Sequence, residues 1–446
     1  MTLFSKCLLA LIVSLFGAVR APAEETAQKP NIVLIMADDL GYGDVGWHGG
    51  PYKTPHLDKL AKQSIRLEQH YSLPVCSPTR SALLSGRFNS RFGCTNPTND
   101  RVFPFDTITL AVALKSVGYE TALVGKWHLG SKTEWGPQKY GFDHSYGSLA
   151  GGVTSYSHLY KTGEFSRTWQ RDGKLIEEEG HVTDLLTKDA VQFIEKKRSG
   201  PFFLYVPYTA VHLPIDEPNE WLALYAKEPE LGVRQYGACV SHLDDGVGKV
   251  LAAIDRSGVR ENTIVLFISD NGGATNVQNN DTNYAGTHPA FKIPARNGPL
   301  RGMKGTVYEG GIRTPGIISW PGHLKPRDEH SPIHVADWFP TFAAVAGYKP
   351  KADLKWDGAN RWPVLSGSAK PEPRVLYWLG PNGNSLALRK GDMVLIRQKK
   401  KADELYDLAS DPTQKTDLAA KHPETVKELG ETLKTISARD NDAQVK

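Results

Sequence analysis

Two pairs of oxygen donors, Asp38-Asp39 and Asp270-Asn271, each follow closely on a run of apolar residues, Asn31 to Met36 and Thr263 to Ile268. Lys126 and His128 come just after Thr121-Ala122-Leu123-Val124, and His212 comes after Phe202 to Val206. Carboxylate and amide oxygens bind hard cations, lysine binds anions, and histidine moves protons near neutral pH. Taken singly, each cluster reads as an ordinary turn or helix cap. Their shared position at the ends of apolar runs is what points to one site. A further segment, Cys76-Ser77-Pro78-Thr79-Arg80-Ser81-Ala82-Leu83-Leu84-Ser85-Gly86-Arg87, has the marks of a helix. Ser77 is a good N-cap, Pro78 suits the first helical position, and Gly86 can close the helix in a left-handed conformation. Cys76 is then expected just ahead of a helix N-terminus, where free N–H groups favour an anion. Arg80 adds a permanent cation in the first turn.

The elements that must position these residues are legible as well. Continuous apolar runs without alternation suit strands buried on both faces. Helical patterns lie between them at Asp58 to Leu67, Leu110 to Val117, Thr183 to Lys197 and Tyr236 to Ile254. This alternation predicts an α/β fold with a large, mixed, mostly parallel sheet flanked by helices, whose ligands gather at the carboxyl ends of strands. After residue 368 the character changes. Val375 to Trp378, Ser385 to Arg389 and Met393 to Arg397 read as short antiparallel strands, followed by a helix from Pro423 to Ser437. The expected organisation is a leader at 1–23, a catalytic domain at 24–368 and a small C-terminal α+β subdomain at 369–446.

The leader is read from Lys6, the apolar stretch Leu8 to Val19, and Ala21-Pro22-Ala23 as an A-x-A cleavage site. This is the pattern of a secretory signal peptide, too short to span a membrane comfortably. It predicts export to the periplasm or beyond, with no stable membrane insertion after cleavage. The net charge of +4 falls to +2 once Lys6 and Arg20 are removed, which argues against a broad cationic face for nucleic acid. Cleavage also removes Cys7 and leaves Cys76, Cys94 and Cys239, an odd number for an oxidising compartment.

The pattern C-x-P-x-R followed by S-x-L-x-S-G-R at Cys76 to Arg87 resembles the signature of the formylglycine-dependent sulfatases. Gly125-Lys126-Trp127-His128-Leu129-Gly130, Val211-His212-Leu213-Pro214, and Arg301-Gly302-Met303-Lys304-Gly305 with Glu309 to Arg313 resemble three more segments of that family, and Glu404 to Leu408 with Asp411-Pro412 resembles its tail. The resemblance runs from about Pro30 into the C-terminal region and implies an alkaline phosphatase/sulfatase-like fold. It implies that Cys76 is converted to formylglycine by a formylglycine-generating enzyme during maturation. It also implies that Asp38, Asp39, Asp270, Asn271 and the converted residue 76 hold one Ca²⁺. Three carboxylates and one amide suit that hard cation, with Mg²⁺ next and zinc not. The implied reaction is attack of the hydrated aldehyde on sulfur, giving a sulfo-enzyme intermediate. Arg80 and the cation would hold the sulfate oxygens, and His212 or Lys304 would protonate the leaving alcohol. His128 would then deprotonate the second hydroxyl and expel sulfate, with Lys126 orienting it. Conversion of Cys76 leaves Cys94 and Cys239 as a candidate disulfide pair.

Within the family the chain most resembles the arylsulfatase B type, which includes N-acetylgalactosamine-4-sulfatases. Tyr140 to Asp143, Tyr156-Ser157-His158 and Leu300 to Gly311 carry that likeness. It implies a sulfated oligosaccharide substrate, glycosaminoglycan or algal, with a 4-sulfated galacto-configured sugar as the first candidate. Tyr156, His158 and the Asn-rich loop from Asn276 to Asn297 are the candidate sugar contacts. Two other readings remain: a formylglycine phosphonate or phosphate ester hydrolase, and a non-catalytic binder of sulfated glycans if Cys76 stays unmodified. A two-zinc phosphatase would require histidines in the metal cluster, and none is visible there.

Overall fold

The computed structural model describes residues 28–445, so the leader at 1–23 lies outside the described residues. Among those described, no helix is long and apolar enough to cross a membrane. A ten-stranded sheet organises the main body. Its centre is parallel and includes β1 (Asn31–Ala37), β2 (Glu120–Val124), β3 (Phe202–Pro207) and β4 (Thr263–Ser269), in the spatial order β4-β1-β3-β2, continued by the strand His144–Ser148. Antiparallel strands extend both flanks, Gly316–Ser319 beyond β4 and Trp169–Arg171 beyond His144–Ser148.

The unbroken apolar runs have a direct cause. Every residue of β1 is buried, and successive side chains enter different core layers: Ile32, Leu34 and Met36 on one face, Val33, Ile35 and Ala37 on the other. Each large apolar side chain buried in this way contributes about 1.5–3 kcal/mol. The first layer packs under the helix α1 (Cys76–Ser85) and the second under α2 (Val182–Glu195) and α3 (Leu231–Arg256). Register then does the positioning. Ala37 pairs with Ser269 and Met36 with Pro207, so the residues just past β1, β3 and β4 emerge at one sheet edge.

The helix expected over Asp58 to Leu67 is shorter than the pattern suggested. It spans Pro55–Lys62, and Ile65–Leu67 is a strand paired with Gly316–Ser319. Ile65 and Leu67 flank Arg66 with a period of two, which buries them on the sheet. The candidate disulfide is also absent. Cys76, Cys94 and Cys239 are all free, with Cys94 in the first core layer and Cys239 in the second, so the sheet lies between them.

The C-terminal region forms a four-stranded antiparallel sheet, Val375–Leu379, Ser385–Lys390, Met393–Gln398 and Glu404–Asp407. The helix Pro423–Ser437 buries Leu429 and Leu433 against its Tyr377, Leu388 and Leu395. Trp378 Nε1 donates to the Ser72 carbonyl at 2.9 Å, and Arg389 Nη1 donates to the Tyr71 hydroxyl at 2.7 Å. This sheet therefore buttresses the segment that leads into Cys76.

Candidate active site

Cys76 is the first residue of α1, with Val75 as an extended N-cap. The start lies two residues earlier than the sequence pattern predicts. Ser77 is inside the helix, where its Oγ accepts the Thr98 N–H at 3.2 Å, so it ties a loop instead of capping. Thr79 does the local bracing: its Oγ1 accepts the Leu73 N–H at 2.9 Å and donates to the Asp270 carbonyl at 2.5 Å. Gly86 ends the helix at φ 70°, as expected. All ten residues of this helix are buried, which fixes the cysteine against the ends of β1 and β4.

Around Cys76 three carboxylates each meet a different cation. Lys126 Nζ donates to Asp38 Oδ2 at 2.5 Å, Lys304 Nζ to Asp39 Oδ2 at 2.7 Å, and Arg80 Nη2 to Asp270 Oδ2 at 2.8 Å. Arg80 Nη1 also donates to the Lys126 carbonyl at 2.7 Å, and Asn271 Nδ2 donates to Asp39 Oδ1 at 2.7 Å. Asp39 takes a left-handed conformation, φ 65°, which turns the second carboxylate of the pair back toward Asp270; its N–H donates to Asp270 Oδ1 at 3.1 Å. His212 Nε2 lies 3.8 Å from Asp39 Oδ2. His128, also left-handed at φ 56°, is buried with neither ring nitrogen hydrogen-bonded.

The donor set fits a hard cation. Asp38 Oδ1 and Asn271 Oδ1 are buried oxygens without a hydrogen-bond partner. Leaving such atoms unpaired costs about 1–3 kcal/mol each, and a cation between them would satisfy both. The electrostatics agree. Burial raises the Asp38 carboxyl, but Lys126, His212, Arg80 and Lys304 together hold it well below the usual carboxylate range. Burial and the neighbouring Asp38 charge push Asp270 up to about 7 against the pull of Arg80 and Lys126. Burial, with Lys126 and Arg80 adding to it, depresses the His128 imidazole strongly, and burial with Lys304 brings His212 down to about 4. Both rings are thus neutral near pH 7 and able to accept a proton.

Cys76, Arg80, Lys126, His128, His212, Lys304, Asp38, Asp39, Asp270 and Asn271 all belong to this cluster. The two candidate sugar contacts do not join it. Tyr156 is 47% exposed, with its ring against His181. His158 is 2% exposed, donates through Nε2 to the Gly180 carbonyl at 3.0 Å and stacks on Trp169 at 4.6 Å. A residue so enclosed holds its loop and does not offer a face to a sugar, which corrects the expectation for His158. His48 (on the Tyr42 carbonyl), His70 (on Thr314) and His144 (on Asp172 and Asp189) have structural partners.

Sequence reasoning missed the Gly151-Gly152 pair and Tyr160. A Cβ on Gly152 would come within 2.4 Å of His212 Nδ1, and one on Gly151 within 2.8 Å of the Tyr160 ring and 3.2 Å of His128. The absent side chains make room for both histidines. With 42 glycines in the chain, a Gly-Gly doublet carries no signal by itself. We expect Gly152→Ala to displace the His212 ring and lower kcat/KM by about 100-fold, the scale of a misplaced reacting group. Its melting temperature should move little; an unchanged kcat/KM would show that His212 can shift without consequence.

Comparison with known proteins gives the chain its family. The sequence profile of the sulfatase family matches residues 30–348. Arylsulfatase J of Mus musculus is 33% identical over 393 residues, which span 82% of this chain and 62% of that protein, less than two thirds of its length. N-acetylgalactosamine-6-sulfatase of Mus musculus is 34% identical over 397 residues, 83% of this chain and 72% of that one. The crystal structure of Ps i-CgsB in complex with k-i-k-neocarrahexaose superposes with a TM-score of 0.84 at 30% identity, covering 94% of this chain and 95% of the other. The ring of paired charges at the start of α1 sits inside the matched region, and the chain belongs to the sulfatase family.

Proposed function

We propose that the protein hydrolyses sulfate esters on carbohydrate, with residue 76 converted to formylglycine and one Ca²⁺ held by Asp38, Asp39, Asp270 and Asn271. The observation that carries this reading is the one-to-one pairing of three buried carboxylates with Lys126, Lys304 and Arg80 around residue 76, together with two unpartnered oxygens. When present, the formylglycine hydrate supplies the nucleophile and the cation polarises the sulfate oxygens.

The chain's own residues supply the rest. Arg80 and Lys126 are fully buried and place fixed positive charge at the floor of the site, where a tetrahedral anion would bind. Neutral His128, close to the same floor, is placed to take a proton from a hydroxyl on residue 76. The side chains of Lys304 and His212 keep partial exposure, 21% and 13%, so the leaving alcohol and its sugar depart on their side. Cleavage of the sulfur–oxygen bond there needs a proton on the leaving oxygen, and the Lys304 ammonium is the group on that side that carries one, with the neutral His212 ring beside it as a hydrogen-bond partner.

The sugar is proposed to be galacto-configured. The 4-sulfate is the first candidate from the sequence segments, and the 6-sulfate competes with it because a relative at 34% identity is named a 6-sulfatase. The similar Ps i-CgsB structure contains an oligosaccharide, which supports an extended glycan over a small ester. The test is sulfate release from a panel of 4- and 6-sulfated galactosamine and galactose oligosaccharides, with enzyme co-produced with a formylglycine-generating enzyme. Release confined to one position assigns it. No release from any glycan by converted enzyme, with cleavage of a phosphonate ester instead, would sink the proposal. Exposed Tyr156 is proposed as a sugar contact beside the site. Tyr156→Ala should raise KM for the preferred oligosaccharide about 10-fold, the loss of one aromatic contact, and leave hydrolysis of a small aryl sulfate unaltered. An equal effect on both substrates would remove Tyr156 from the sugar site.

A further inference from the structure

A second group of metal-ligand side chains lies outside the catalytic cluster. His181, Glu217 and His242 come together from three elements: the N-cap of α2, the loop after β3, and the middle of α3. Their side chains are 1–3% exposed, and one ligand atom from each lies within 4.8 Å of the others. We propose that these three residues, with the thiol of Cys239 as fourth donor, form a structural site for a borderline divalent d-block cation, zinc foremost. The proposal does not depend on the reaction at residue 76.

Three of the four donors already stand close together, and Cys239, outside their 4.8 Å group, would turn toward them to complete a tetrahedral shell. Zn–N and Zn–O bonds of about 2.0–2.2 Å place neighbouring ligand atoms roughly 3.3 Å apart. Here Glu217 Oε2 is 2.8 Å from His242 Nδ1, and Glu217 Oε1 is 3.6 Å from His181 Nε2. Cys239 stands one turn before His242 on the same helix, so the two side chains share a face. His181, Glu217 and Cys239 together line one small cavity, and burial with the Glu217 charge raises the Cys239 thiol. The outer partner is present too. Asp184 Oδ1 lies 3.2 Å from His242 Nε2, the arrangement by which a carboxylate orients a metal-bound imidazole.

An ion-pair cluster alone accounts for only part of this. A His242 imidazolium would donate through Nδ1 to Glu217, yet His181 Nε2 and His242 Nε2 both stay buried with no hydrogen-bond partner, the second despite lying 3.2 Å from Asp184. The same signature, a buried polar atom left unpaired, marks Asp38 and Asn271 at the catalytic cradle. The competing interaction is the cap of α2, where the Thr183 N–H donates to His181 Nδ1 at a long 3.3 Å. A cation on Nε2 would move the ring proton to Nδ1 and so give up this long cap interaction. Two neutral imidazoles, a carboxylate and a thiolate select zinc over calcium, so the chain would sort its two metals by ligand hardness. His212 lines the same cavity, so a cation there would brace the segment that carries this histidine.

The test uses the full-length enzyme stripped of transition metals with dipicolinate, resupplied with excess Ca²⁺ to saturate the catalytic cradle, and titrated with Co²⁺. One Co²⁺ per chain should bind with the intense visible bands of a tetrahedral site and a thiolate charge-transfer band. Zinc should displace it and raise the melting temperature. His181→Gln should weaken binding by more than about 100-fold, and Cys239→Ser should remove the charge-transfer band. If His181→Gln fails to fold, Glu217→Gln replaces it in the same titration. No uptake by the wild-type enzyme, or uptake that survives the ligand substitution, overturns the site.

Discussion

Cys76→Ser should turn over no more than once per enzyme molecule, a loss of at least about 10⁴ in steady-state rate. The substitution is nearly isosteric at a position 1% exposed, so α1 and its partners should keep their places and the melting temperature should hardly change. A serine hydroxyl still faces Lys126, Lys304 and Arg80, and it can in principle accept a sulfo group from the substrate. What it lacks is a second hydroxyl on the same carbon. His128 has buried, unpartnered nitrogens ready to take a proton, but on a sulfated serine there is no such proton to take. Release would then need water to attack in a site walled by α1, β1 and β4. The measurement is a progress curve of sulfate release at high enzyme concentration, with intact-mass analysis of the protein afterwards. A burst of one equivalent or less, with a retained sulfo group, is the expected result. Sustained turnover by the serine variant would mean that the nucleophile lies elsewhere.

Much of this site could be read from the chain because its residues occupy the ends of strands that are buried on both faces. Such strands cannot alternate, so Asn31–Ala37 and Thr263–Ser269 announce themselves, and parallel register brings Asp38-Asp39 and Asp270-Asn271 to a common edge. Lys304 is different: it lies on a loop with no periodic signal, and only its likeness to a known segment suggested it. The errors share one physical origin, which is tertiary contact overriding a local preference. Ser77 is a fine N-cap by type, but Thr98 takes its oxygen. Ile65 to Leu67 continues a helical pattern, but a neighbouring strand claims it. Cysteine parity proposed Cys94 with Cys239, and parity has no knowledge of the sheet between them. The trio His181, Glu217 and His242 was invisible for a related reason: spacings of 36 and 25 residues between its members match no metal motif. Only the packing of α2 on α3 brings them together.

Calcium withdrawal should abolish activity while leaving the fold standing, and the reason lies in the charges. Asp38, Asp39 and Asp270 bring up to three negative charges into a buried cradle, and their mutual repulsion shows in the raised Asp270 carboxyl. Lys126, Lys304 and Arg80 already compensate them one for one at 2.5–2.8 Å, so the apo cluster is electrically balanced. Removing Ca²⁺, with zinc held at a buffered trace level, should therefore shift the melting temperature by only a few degrees. The rate should fall by at least about 100–1,000-fold, since the charge that develops on the sulfate oxygens loses its main partner. Restored Ca²⁺ should recover the activity, and Mg²⁺ should do so less well because three carboxylates and an amide form a wide, flexible shell. Asp270→Asn separates the two effects. It removes one ligand charge and also strands the Arg80 guanidinium, which is fully buried and keeps only the Lys126 carbonyl and a 3.7 Å approach to Asp38. Loss of one partner of a buried pair costs about 3–5 kcal/mol, and the remaining contacts put this case toward the lower end. The variant should be both inactive at ordinary Ca²⁺ and clearly less stable, by thermal unfolding with and without Ca²⁺. Equal loss of stability on chelation and on Asp270→Asn would show instead that the cation, and not the lysine–arginine ring, holds the cradle together.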